Sequence, residues 1–276
     1  MMTRTRIAYM PIATYPEAVA DASVAAAADL AVALGCALQV TTFAVDIPRV
    51  SSALGSLLLD VPALVRSAED RSRSECQRLH DLLGSRTGVQ CTTREAALGA
   101  ALETAAAEAR YFDLAVLPWS GETVAAQDMT QAVVFGSGRP ALLVPPAAPP
   151  ASLDHLAIAW DASRVAARAL GDALPLLAEG GRITVLTVED EKPLSGSDLA
   201  VALAASLARR GYSARPLGVS LAGRTIAAAL QDTALAEGAQ VLAMGGFGHS
   251  RLRDFIVGGA TRGVFAELHL PVLLAH

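Results

Sequence analysis

The stretch MGGFG, residues 244–248, decides the fold of this chain together with GGATR, residues 258–262. An apolar run at residues 240–244 predicts a strand that ends in a glycine loop, and the second segment stands where a helix should begin. Glycine has no Cβ, so the backbone N–H groups of such a loop can approach an anion closely. The free N–H groups and the dipole at the start of a helix favour negative charge there. The pattern therefore predicts a strand-loop-helix unit that cradles a phosphate.

The spacing of these glycines excludes two common phosphate-binding motifs. No Lys followed by Ser or Thr comes after them, as a P-loop requires, and no Gly-x-Gly-x-x-Gly follows the first strand of a unit. The spacing instead resembles the nucleotide-binding signature of the universal stress protein family: Gly, two residues, Gly, nine residues, Gly, then Ser or Thr. Gly245, Gly248 and Gly258 are in register with that signature, and Gly259 occupies the position of the Ser or Thr.

The order of strands and helices repeats on the two sides of PPAAPPA, residues 145–151. This connector can be neither a central strand nor a helix interior, so we place a boundary near residue 150, between a first domain at residues 1–146 and a second at residues 152–276. Strands are predicted at residues 6–11, 37–45, 89–93, 114–117 and 141–144, and again at 156–160, 182–188, 213–219, 240–244 and 272–275. Helices are predicted between them, the last at residues 259–268.

Short apolar strands that alternate with helices predict parallel sheets covered by helices on both faces. The fold class is therefore α/β, with two tandem open parallel-sheet domains of about five strands each. The resemblance implies a Rossmann-like fold similar to that of the adenine nucleotide alpha hydrolases. RPALLV at residues 139–144 and LPVLLA at residues 270–275 end the two halves alike, and a proline entering a strand indicates an edge. The resemblance implies that the halves pair across these last strands.

WDASR, residues 160–164, follows the first strand of the second half and resembles the Asp-Gly-Ser turn of the family. Asp161 stands at the carboxyl end of that strand, where ligands bind in open parallel sheets. Its carboxylate can accept from a ribose or hold a cation beside phosphates. Alternatively, Asp161 or Ser163 only caps the following helix, and capping is compatible with ligand contact. The resemblance also implies that backbone atoms near Thr187 and Val188 read the adenine.

Gly259 supplies an N–H where the family has a hydroxyl, and one neutral hydrogen bond is worth about 0.5–1.5 kcal/mol. Thr261 can supply that hydroxyl, while His249 and Arg251 either add charge-assisted contacts or belong to a solvated turn. The nucleotide site implied by the resemblance consists of Asp161, Ser163, Val188, Met244, Gly245, Gly248, His249, Arg251, Gly258, Gly259, Ala260 and Thr261.

The first half lacks these motifs. PIATYP, residues 11–16, follows its first strand without a carboxylate, and LPWSGE, residues 117–122, has one glycine beside an acid that would repel phosphate. We therefore expect the first half to be a degenerate, ligand-free partner of the second.

Composition restricts the function further. A net charge of -5 and 4% aromatic residues give no electrostatic basis for binding nucleic acid. Cys36, Cys76 and Cys91 lack metal-ligand spacing and are expected to be reduced thiols, and no run of residues is long and apolar enough to span a membrane. A cytoplasmic protein that binds neither nucleic acid nor membrane is expected.

The sequence thus predicts a universal stress protein-like regulator that binds an adenine nucleotide, ATP with or without Mg, in its second half. The alternative is a ligand-free scaffold or interaction protein of the same fold. A third hypothesis, an enzyme of the related adenine nucleotide hydrolase group, lacks an evident catalytic base or nucleophile, so at most slow ATP hydrolysis is expected. Expected partners are the nucleotide and either a second protein or a second copy of the chain.

Overall fold

The structure, a computed structural model, describes residues 5–48, 60–119, 124–189, 199–246, 264 and 267–276. Along these ranges ten strands alternate with seven α-helices. The first half contains β1 (Arg6–Ala13), α1 (Asp21–Ala33), β2 (Cys36–Asp46), α2 (Val61–Leu83), β3 (Val89–Ala97), α3 (Ala100–Ala109), β4 (Leu114–Pro118), α4 (Val124–Gly136) and β5 (Ala141–Val144). The second half contains β6 (His155–Ala159), α5 (Arg164–Ala173), β7 (Arg182–Val188), α6 (Leu199–Arg209), β8 (Ser213–Val219), α7 (Ile226–Ala236), β9 (Val241–Gly245) and β10 (Val272–Ala275).

Three helices begin at side chains that satisfy otherwise unpaired backbone donors. The side chain of Asp60 caps α2, that of Ser163 caps α5 and that of Thr225 caps α7, each accepting from the backbone N–H three residues later. Such caps typically stabilise a helix by about 1 kcal/mol. These polar residues therefore fix where each connection ends and each helix starts.

The strands form one continuous sheet in the order β3-β2-β1-β4-β5-β10-β9-β6-β7-β8. All neighbouring strands are parallel except β5 and β10, which join the two halves in antiparallel register. Leu273 pairs with Leu142 at this join, and both side chains are fully buried. The prediction that the halves meet across their last strands is confirmed, and residues 145–154, which connect them, are neither helix nor strand.

The sheet separates two apolar layers, each continuous across both halves. Buried residues of α1, α2, α5 and α6 pack on one face, and buried residues of α3, α4 and α7 pack on the other. Two five-stranded units with the same internal strand order and with helices on both faces confirm the predicted α/β fold class.

Several element boundaries differ from the predictions. β1 continues through Pro11 to Ala13, and β3 continues to Ala97 rather than ending at Thr93, although the added residues include the charged Arg94 and Glu95. β3 is an edge strand, so polar side chains there can face water. Most of the helix predicted at residues 259–268 lies outside the described residues; Val264 is helical, whereas Leu268 is not. Among the described helices, none combines the length and the apolar character needed to cross a bilayer.

Candidate functional site

The candidate site lies at the carboxyl ends of β6 and β9, where the strand order of the second half reverses. β6 and β9 are neighbours in the sheet. From β6 the chain continues to β7 on one side, and from β9 it continues to β10 on the other side. Such a reversal opens a crevice that open α/β sheets use for ligands. Ile158 pairs with Ala243 in this parallel register, and Asp161 and Gly246 each come three residues after that pair.

The turn after β6 holds Asp161 in an exposed position. Its Oδ1 accepts a 2.9 Å hydrogen bond from the N–H of Ser163, and the intervening Ala162 has φ of 60°. Ser163 in turn accepts from the N–H of Ala166 at 3.2 Å and caps α5. Both predicted residues therefore have a local structural role. The turn uses Oδ1, one of the two carboxylate oxygens of Asp161.

Gly245 is required by packing, independently of any ligand. A Cβ at this position would lie 2.6 Å from Cγ2 of Val165 and 2.8 Å from the backbone nitrogen of Ala166. The first turn of α5 therefore fits directly against the backbone of β9, which brings its N-terminus to the crevice. Met244, also predicted to belong to the site, has its side chain buried in the core, so only its backbone can face a ligand.

The end of β7 forms the other side of the crevice. Val188 pairs with Val219 of β8 and is half-buried against the core. Thr187 donates from its hydroxyl to the carbonyl of Trp160 at 3.0 Å, which ties the end of β7 to the residue preceding Asp161. The structure thus brings Asp161, Ser163 and Val188 to the same edge of the sheet as Gly245.

The remaining predicted site residues lie outside the described residues. They are Gly248, His249, Arg251, Gly258, Gly259, Ala260 and Thr261.

A residue of the first half, which the sequence did not predict, lies next to the start of the glycine segment, that is, MGGFG at residues 244–248. Phe135 of α4 makes an edge-to-face contact with the ring of His276, at 5.3 Å between centroids and an interplanar angle of 82°. His276 is hydrogen-bonded to the carbonyl oxygen of Gly246 at 3.0 Å. No local pattern in the sequence marks Phe135 or His276, because their contact depends on how the two halves pack.

The corresponding edge of the first half, at the ends of β1 and β4, is closed. Trp119 directly after β4 is 2% exposed. A cavity of about 20 Å³ remains there, enough for roughly one water molecule. It is lined by Pro11, Ile12, Ala13, Val19, Leu117, Pro118, Ala125, Ala126, Met129 and Thr130. Within the described residues, the cavity at this edge is far too small for a nucleotide.

A larger open groove lies elsewhere in the first half, between α3 and the strands β2 and β3. Its volume is about 700 Å³, and Arg94 and Glu108 pair across it. The hydroxyl of buried Tyr9 donates to Glu108 at 2.6 Å, and burial raises the pKa of that hydroxyl to about 12. Glu108 is thus already paired with two groups of the protein.

Comparisons with known proteins agree with this architecture. Residues 153–276 match the pattern of the universal stress protein family. A universal stress protein from Archaeoglobus fulgidus DSM 4304 is 14% identical and superposes with a TM-score of 0.65, covering 97% of this chain and 97% of that protein. A putative universal stress protein from Pseudomonas aeruginosa UCBPP-PA14 is 16% identical, with a TM-score of 0.53 and coverage of 98% and 93%.

At these identities the solved structures show the shared fold alone, and no curated protein matches the sequence. The family match covers the half that carries the glycine signature and Asp161. The strand order of that half, β10-β9-β6-β7-β8, repeats in the other half as β5-β4-β1-β2-β3. The second half of the chain, residues 153–276, therefore belongs to the universal stress protein family, and the first half repeats its fold.

Proposed function

We propose that this protein is a cytoplasmic regulator of the universal stress protein type that binds an adenine nucleotide, ATP with or without Mg, in its second half. One observation carries the proposal: Asp161 and the Gly245–Gly246 backbone reach the crevice at the reversal of strand order, in the half that matches the family. Nucleotides bind at such crevices in open α/β sheets.

Asp161 is the polar side chain that this proposal uses most directly. It is exposed, and the turn after β6 holds it while using one of its carboxylate oxygens. The second oxygen accepts from a ribose hydroxyl or contributes to a Mg ion beside the phosphates. Since the N-terminus of α5 is directly adjacent, its helix dipole also favours an anion in this crevice.

The adenine is assigned to the backbone at Thr187 and Val188. The hydroxyl of Thr187 is bound to the carbonyl of Trp160, so the end of β7 is held next to the turn that carries Asp161. Main-chain groups at a fixed strand end can pair with the edge of a base without any characteristic side chain. The phosphates are assigned to Gly248, Gly258, Gly259, Ala260 and Thr261, with charge-assisted contacts from His249 and Arg251.

The first half acts as a permanent structural partner in this proposal. The connector and the repeat of strand order support a division from the second half near residue 150. The closed edge at Trp119 supports a single nucleotide site per chain. The three cysteines are unpaired, as in proteins of a reducing compartment.

A ligand-free scaffold is the second candidate function. The close approach of Val165 accounts for Gly245 by packing alone, and Ser163 is accounted for as a helix cap. Under this hypothesis the glycine signature is retained for its backbone shape, and the protein acts through a surface that binds another protein or a second copy of the chain.

Calorimetric titration of the nucleotide-stripped full chain with MgATP distinguishes the two functions. We expect one site per chain and a dissociation constant in the micromolar range. Asp161→Asn keeps the oxygen that accepts from Ser163 but removes the charge, and we expect at least about tenfold weaker binding, since hydrogen bonds to charged groups contribute about 1.5–3 kcal/mol.

Asp154→Asn is the matched control for this titration. Asp154 is exposed and precedes the same strand at its opposite, amino end, where it accepts from Ser152 at 2.8 Å. We expect its replacement to leave ATP binding unchanged. No detectable binding by the wild-type chain at several temperatures would refute the nucleotide function and favour the scaffold. Equal losses in both aspartate variants would remove the specific role of Asp161.

A further inference from the structure

The C-terminal end of α4, in the first half, contacts the start of the glycine segment in the second. The ring of Phe135 meets the ring of His276 edge-to-face, with 5.3 Å between the centroids. The preceding residue, Val134, is buried and has its Cγ1 3.8 Å from the position that a Cβ on Gly246 would take. Both contacts join residues more than 100 positions apart in the sequence.

His276 transmits this contact to the backbone of Gly246. A carbonyl oxygen only accepts, so the 3.0 Å contact between Nδ1 of His276 and the oxygen of Gly246 requires Nδ1 to carry the proton and donate. The N–H of Gly246 donates in turn to the carbonyl of Ala275 at 2.8 Å. Both backbone groups of Gly246 are therefore held by the segment that leans on Phe135.

A second tie joins the same region of the first half to α5. Nη2 of Arg168 donates to the carbonyl of Gly138 at 3.1 Å, while its Nε donates to Asp172 at 2.6 Å. Residues 135–138 thus contact both elements that frame the candidate site, the end of β9 and helix α5.

We propose that the first half positions the start of the glycine segment of the second half, through the contact of Phe135 with His276. Phe135 is a positioning residue in this account, since it acts on Gly246 through the His276 ring. Its effect on nucleotide affinity rests on the proposed function; its effect on Gly246 does not.

Amide hydrogen exchange of the nucleotide-free full chain tests the positioning directly. Phe135 is 40% exposed, so Phe135→Ala should fold. In this variant we expect the Gly246 amide to exchange about two- to tenfold faster than in the wild type, the range that corresponds to the loss of one aromatic contact. Phe135→Tyr keeps the ring and should restore the wild-type rate. The amide of Leu242, which donates to the carbonyl of Pro271, should exchange as before in both variants.

The control variant is Tyr111→Ala, which removes an 86% exposed aromatic side chain from the same half. An unchanged Gly246 rate in Phe135→Ala would overturn the proposal. An equal acceleration of Gly246 in Tyr111→Ala, or of Leu242 in Phe135→Ala, would also overturn it, because the effect would then be global.

Titration of the same variants with MgATP tests the consequence for the site. We expect the dissociation constant of Phe135→Ala to rise about two- to tenfold and that of Phe135→Tyr to match the wild type. Faster exchange with unchanged affinity would overturn the part of the proposal that concerns the nucleotide. If the wild-type chain binds no MgATP, the proposed function fails, and the exchange rate of Gly246 by itself supports or overturns the positioning.

Discussion

Gly245→Ala is the substitution whose effect the structure specifies most closely. The added methyl group would lie 2.6 Å from Cγ2 of Val165 and 2.8 Å from two backbone atoms of α5. Carbon atoms normally approach to about 3.5–4.0 Å, so either α5 or β9 must shift by a large fraction of an ångström. The helix cannot shift freely, because buried residues such as Ala169 and Ala173 pack it against the sheet.

The cost follows from this overlap, and the next residue provides an internal control. Forcing an extra methyl into a close-packed contact typically costs about 1–3 kcal/mol. A Cβ at Gly246 would instead lie 3.6 Å from the oxygen of Ala275 and 3.8 Å from Val134, which are ordinary contacts. Gly246→Ala also restricts the unfolded chain, which is worth about 0.4–1 kcal/mol of stability where no strain opposes it. We therefore expect the two variants to differ by about 2 kcal/mol.

Urea denaturation of the wild type and both variants, followed by circular dichroism, measures this difference. The midpoint of Gly245→Ala should fall while the slope with denaturant stays the same, since the surface exposed on unfolding does not change. Gly246→Ala should match or exceed the wild-type midpoint. If Gly245→Ala is no less stable than Gly246→Ala, the close approach of α5 is not a constraint on the fold, and a ligand becomes the better explanation for that glycine.

Three further predictions concern stability. Leu273→Ala at the join of the halves should lower the free energy of unfolding by about 2–5 kcal/mol, because it leaves a cavity at a fully buried site. Leu235→Ala at a 45% exposed site should lower it far less. Comparable losses of stability in thermal unfolding would contradict the packing argument. Burial raises the pKa of Tyr9 from 10.0 to about 12, so this hydroxyl ionises at lower pH in the unfolded chain than in the folded one. The free energy of unfolding should therefore fall by up to about 2.7 kcal/mol as pH rises through this range. Denaturation measured at each pH should show no such loss for Tyr9→Phe. Burial, and secondly the charge of Arg182, lower the pKa of His155 below 6.5, so the unfolded chain takes up this proton more readily than the folded one. Stability should therefore decline as pH falls below that value. The same decline in His155→Gln would show that other groups cause it.

The repeated order of strands and helices could be predicted because each element carries its own local pattern. β7 was predicted to the residue, since short apolar runs flanked by turns indicate buried parallel strands. β8 was also predicted to the residue, although it is an edge strand whose side chains are mostly exposed. The two matching proline-led strands indicated edges, and the resemblance to the universal stress protein family implied that β5 and β10 pair. Asp161 was placed correctly at a strand end because the carboxyl ends of parallel strands meet at one edge of the sheet.

Other features depend on contacts between residues distant in sequence and left no local trace. The sequence predicts Gly245 as part of a phosphate cradle but does not reveal that Val165 of α5 packs into the space that its missing Cβ provides. The contact of Phe135 with His276 exists only because two separate units are docked in one register. A sequence pattern in one segment does not show which distant segment will pack against it.

The antiparallel join of β5 and β10 within a single chain changes what substitutions can do. In a symmetric assembly of identical subunits, every substitution appears twice, at related positions on both sides of the axis. Here each residue appears once, and the connector at residues 145–154 keeps the two units together at a fixed effective concentration however dilute the protein is. One unit therefore carries a buried tryptophan, Trp119, directly after β4, where the other carries Gly246 after β9, a divergence that a pair of identical subunits cannot undergo.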